Sequence, residues 1–224
     1  MEKLTLIVQE NQLGYTGIFL KPALTLWADG AKIFQGLLTA FASYGVDLSN
    51  IRVDTINQSP AGQVININLG ILGRYAFRFN QVEWQADNLT EDEIAASPQI
   101  LQKGTDWLYS EVNELSFKTH ILTYSSHNKL SQGDSQEFLS RFPERDISGI
   151  GKNLGAGVFY HWDIADLNGQ LHLAIDHSRT VSGGLFVQAS IEIRGSISDY
   201  GQVVAIGREK IEHALAQIGL EFER

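Results

Sequence analysis

The chain has 224 residues, a formal net charge of −9 and no cysteine. The missing thiols exclude disulfides, cysteine nucleophiles, Cys-zinc sites and iron–sulfur clusters. The negative charge repels phosphate backbones, so general nucleic-acid binding is not expected. Hydrophobic residues make up 43% and charged residues 19%, an ordinary globular composition that needs no metal to fold. The N-terminus alternates like a strand rather than a signal peptide, and no apolar run approaches the ~20 residues needed to cross a membrane. A cytoplasmic protein is expected.

In chain order, Leu4, Leu6 and Val8 alternate with polar neighbours and predict a first strand. Gly14, Gly17 and Pro22 punctuate residues 11–27 and predict a loop or a short extra strand pair. A helix is predicted from Ala31 to Tyr44, with Ile33, Leu37, Leu38 and Phe41 on one face, Asp29 as its cap and Gly45 at its left-handed end. Three strands are predicted near 50–57, 63–69 and 74–86. Thr90 and Glu93 form a capping box for a second helix, which Pro98 is expected to break or restart before it ends near Val112.

The order then repeats. Leu115–Ser126 reads as a strand, and Asp134–Glu137 opens a short helix that stops before Pro143. Strands follow near 157–164, 170–177 and 184–194. A last helix runs from about Gly201 to Ile218, ended by Gly219. Both halves, about 1–113 and 114–224, thus read β-α-β-β-β-α. The expected fold is one α+β domain in which these pseudo-repeats form a largely antiparallel, curved sheet with helices on one face. The other face is left uncovered.

The Asn168-Gly169 pair predicts a two-residue hairpin turn. That register sets His161 opposite Asp176, Asp163 opposite Ala174 and Ala165 opposite His172, all on one face. Trp162, Ile164, Leu173 and Ile175 take the core side. Two histidines and two aspartates then gather on the sheet, and His120 is a possible fifth member. Imidazole and carboxylate suit zinc, manganese or iron, and a His161–Asp176 contact would suit acid–base work. The plainer alternative is a solvated sheet face with a weak cross-strand ion pair.

If the same face continues into the first half, it collects Arg52, Asp54, Asn66, Asn68, Arg74 and Arg78, with Gln188, Ser190, Glu192 and Arg194 from the second. Such a partly basic surface on an acidic protein suits an anionic ligand or a partner. The Gly-rich run 148–157 fails as a phosphate loop, since Asn153 stands where a Ser or Thr would hold magnesium and a strand follows it. It reads as a connector or a lid. Asp176-His177-Ser178 is no triad, because strand neighbours point to opposite faces. His127 reads as a loop residue, His213 as solvent-facing, and Trp84 as a half-buried edge or dimer contact.

No cofactor or catalytic signature emerges. The expected function is that of a non-enzymatic binding or protein-interaction protein, self-associating as a homodimer. It would use the polar sheet face through His161, Asp163, His172, Asp176, Arg52, Arg74 and Arg78. The alternative is a metal-dependent enzyme or metal-binding protein using His161, Asp163, His172 and Asp176.

Overall fold

The computed structural model describes residues 3–27, 30–55, 62–112, 114–142 and 157–223. Within them the chain forms β1 (Leu4–Phe19), α1 (Gly30–Phe41), β2 (Ile51–Thr55), β3 (Gln63–Asn68), β4 (Arg74–Phe77), β5 (Gln81–Asp87) and α2 (Glu91–Glu111). Then come β6 (Phe117–Leu130), α3 (Ser135–Leu139), β7 (Val158–Ile164), β8 (Gly169–His177), β9 (Leu185–Arg194), α4 (Tyr200–Gln217) and β10 (Leu220–Phe222). The fold is α+β, with ten strands in one open sheet ordered β2-β3-β4-β5-β1-β6-β9-β8-β7. Every pairing along that path is antiparallel, and β10 adds a short parallel pairing to β1.

Four places differ from the sequence reading. Residues 11–19 are not a loop but the continuation of β1. Between Val8 and Glu10 the register to β6 shifts, so the buried phase changes from Leu6 to Tyr15 and Phe19. A bulge of this kind hides one long strand from a period-2 reading. Gly17 belongs in it because an added Cβ would lie 2.5 Å from the Tyr15 hydroxyl and 2.6 Å from the Phe117 ring.

The strand expected over 74–86 is two strands, β4 and β5. They are joined by a tight turn in which the Arg78 N–H donates to the Gln81 carbonyl at 2.8 Å. Pro98 does not break α2. A proline leaves the carbonyl four residues back without its amide, and here the Ser97 hydroxyl donates to that Ile94 carbonyl at 2.7 Å. Finally, the segment after Gly219 is strand β10. The capping box of α2, the left-handed Gly45 and the left-handed Gly219 are as expected. Asp29 and residues 143–156 lie outside the described residues.

One hydrophobic cluster backs the whole sheet on one face. Tyr15, Trp84, Tyr75, Phe77, Ile67, Leu173 and Val187 point into it and are nearly fully buried. The helices pack against this same face. Phe41 of α1 meets Tyr75, Trp107 of α2 meets Phe77 with ring centroids 5.0 Å apart, and Tyr200 of α4 meets Tyr15. From α3, Ser135 bonds His177. Trp84 is thus a core residue, with 2% exposure and its indole N–H donated to the Leu72 carbonyl. No helix is long and apolar enough to cross a membrane among the described residues.

Candidate functional site

Strand alternation assigns the opposite face of the sheet to Arg52 and Asp54 on β2, Asn66 and Asn68 on β3, and Arg74 on β4. It continues through Gln81, Glu83, Gln85 and Asp87 on β5 and Thr123 on β6. Gln188, Ser190, Glu192 and Arg194 carry it across β9. No described helix packs on this face. Most of these positions are polar, but the same face also carries Ile121, Phe186 and the exposed Phe159.

The hairpin of β7 and β8 has a different turn from the one predicted. Ala165–Leu167 forms a single 3-10 turn, Asn168 is left-handed at φ 47°, and Ile164 pairs with Gly169. The loop is therefore two residues longer than an Asn-Gly turn. Each β7 residue meets a β8 partner four positions earlier than expected. A shift of four preserves the faces and changes the partners. His161 lies opposite His172 instead of Asp176, and Asp163 lies opposite Gln170 instead of Ala174.

The two histidines are brought together. Their Nδ1 atoms share a hydrogen bond, and their ring centroids are 4.6 Å apart. Such a bond needs one Nδ1–H donor and one bare Nδ1 acceptor. The Phe159 ring stands against His161 at 4.5 Å. The aspartates are not brought into this contact. Asp163 accepts from the Gln170 amide at 2.9 Å, and Asp176 accepts from the His177 backbone N–H at 2.7 Å. Among the described residues, no group of three or more His, Asp or Glu is placed to hold a metal ion.

His120 does not join the pair. It pairs with Gly17 and Ile193 on the covered face and is fully buried. Its Nδ1 lies 2.9 Å from the Tyr15 hydroxyl, which lies 2.8 Å from the Tyr200 hydroxyl. Burial pushes its pKa down to about 4, and a backbone interaction at Gly195 offsets this only in part. The ring is thus neutral at pH 7. Burial likewise raises Tyr15 well above its ordinary value and Tyr200 to about 12. This network escaped the sequence reading because Tyr15 fell in the assumed loop. The phase of β6 that holds His120 also holds Lys118, Ser126 and Asn128, so alternation gave no signal for it.

The remaining positions divide similarly. His127 is not in a loop. It lies on β6, on the open face, bonded through Nδ1 to the Ser178 hydroxyl at 2.9 Å and packed on Phe186. His177 faces the core side as expected and meets Ser135 at 2.8 Å. His213 is exposed. Arg78 is engaged, with its Nε 3.1 Å from Glu83. Arg52 and Arg74 line a groove of about 630 Å³ with Ser49, Asn66, Asn68 and Gly70.

No family model matches the chain. No curated protein matches it either. Among solved structures, the chain is similar to the rolling circle replication initiator protein from Geobacillus stearothermophilus at 10% sequence identity. That alignment covers 93% of this chain and 80% of the other, with a TM-score of 0.32. A likeness this weak carries over neither fold nor function.

Proposed function

We propose that this is a non-enzymatic binding or protein-interaction protein whose uncovered sheet face receives the partner. The observation that carries this reading is the asymmetry of the sheet. The four described α-helices pack on one face, while the other presents a mostly polar surface from β2 to β7. The reading also treats residues about 1–113 and 114–224 as pseudo-repeat halves of one domain, joined into a curved sheet. It is supported by the central antiparallel pairing of β1 with β6, each flanked by the last strand before a helix, β5 and β9. The reading includes a homodimer. It places the alternative metal site at His161, Asp163, His172 and Asp176 second, since only the histidines meet.

Native mass spectrometry of protein purified gently from its own cells tests the reading. A bound molecule or partner chain is expected on the wild type. It should be lost from the double variant Thr123→Lys/Ser190→Lys, whose two sites pair across β6 and β9 on the open face. It should be kept by Glu209→Lys on the exposed side of α4. An adduct that survives the open-face variant and leaves with the helix-face variant overturns the reading.

A further inference from the structure

We infer that the groove at the β2–β4 end of the open face is a binding site for a small anion carrying a phosphate or carboxylate group, held between Arg52 and Arg74. The inference rests on the open face being the binding surface and adds a place and a ligand chemistry to it. Arg52 stands opposite Asn66, and Arg74 stands opposite Asn68. Their backbones are two strand spacings and two residues apart, about 12 Å. That span lies within the joint reach of two arginine side chains directed into one groove.

The groove also holds two carboxylates, and each meets a neutral amide rather than an arginine. Asp54 accepts from the Asn66 amide at 2.6 Å, and Asp87 accepts from the Gln12 amide at 2.7 Å. Both arginines are exposed, and neither has an ion pair or hydrogen bond to another described residue. By contrast, Arg78 on the same sheet is neutralised by Glu83. Two planar forks with free donors match the two oxygens of a carboxylate or the three of a phosphate. Between them Asn66 and Asn68 offer neutral polar groups, and the 3-10 turn Gly70–Leu72 forms a wall with Ile71 exposed at its rim. Arg52 and Arg74 are balanced in formal charge by Asp54 and Asp87 in the same groove, so an anion would be held by the free donor forks of the arginines rather than by a net positive field.

The test is a titration of ¹⁵N-labelled protein with inorganic phosphate and, separately, with succinate, at constant ionic strength made up with chloride. Saturable shifts are expected at the Gly70 and Gly73 amides and at the Arg52 and Arg74 side-chain N–H groups. The anion that saturates first identifies which group the site prefers. Arg52→Gln and Arg74→Gln should each weaken binding by about tenfold, the loss of one charged hydrogen bond. Arg78→Gln should leave it unchanged. No saturable shift with either anion, or equal shifts in all three variants, overturns the inference. The adduct experiment on Thr123 and Ser190 then separates the two failures, because its result does not depend on either arginine.

Discussion

His120 and His161 occupy the two faces of one sheet, and their surroundings could hardly differ more. His120 is sealed under α4 with two tyrosine hydroxyls, and its ring is held neutral by burial, with a pKa of about 4. His161 stands in solvent against His172 and an exposed Phe159. The first histidine is part of what holds the molecule together. The second stands exposed on the open face, so its replacement is expected to leave the fold intact. The comparison teaches that residue type alone does not mark a site here. The face of the sheet decides whether a histidine is buried or exposed.

The contrast can be broken most forcefully at adjacent residues of β5. Trp84→Ala on the covered face should cost about 3–5 kcal/mol, the range for emptying a buried aromatic site. Gln85→Ala, one residue on and on the open face, should change stability by no more than about 0.5 kcal/mol. Chemical denaturation of the two variants checks this, and similar losses would mean the open face is not open.

The next effect is acid sensitivity. His120 has a folded pKa of about 4 against an ordinary value of 6.5. Between those values the unfolded chain binds a proton that the folded chain refuses. Stability from this group is therefore fully present above pH 6.5 and falls as pH drops toward 4, by about 3 kcal/mol in all. Denaturation curves across this window should show a shallower pH dependence in His120→Gln than in the wild type. The same substitution at His161 should not change the slope.

Smaller still is the helix that tolerates a proline. Ser97→Ala leaves the Ile94 carbonyl without a donor beside Pro98, and should cost about 1 kcal/mol by thermal unfolding. The smallest effects belong to the exposed pair. His161→Ala and His172→Ala should each leave stability within about 0.5 kcal/mol, and added zinc should leave the Tm unchanged. Stoichiometric zinc that disappears in both variants would instead favour the metal reading.

Much of this was legible in the amino-acid order. The helix stripes of Ile33, Leu37 and Phe41, the Thr90–Glu93 box and the strands of the second half follow from periods of 3.6 and 2 and from capping chemistry. The allocation of His161, Asp163, His172 and Asp176 to one face also follows, since period 2 is indifferent to a register shift of four. Three things were not legible. The bulge after Val8 reversed the phase of β1 and disguised nine strand residues as loop. The Asn168-Gly169 pair favours a two-residue turn locally, yet the chain uses a four-residue loop and puts only Asn168 in the left-handed region. Ser97 repairs the damage of Pro98 by a contact that propensity cannot register. At Pro98 a side-chain contact overrode a local rule, while the bulge and the longer loop are departures from regular strand and turn geometry.

The most direct test of the central claim is photo-cross-linking in the cells that make the protein, with a photoreactive residue at Thr123 on the open face or at Glu209 on the helix layer. A discrete cross-linked product from position 123, absent from position 209, is the predicted result. Products from position 209 alone, or none from position 123, would contradict the assignment of the uncovered sheet face as the binding surface.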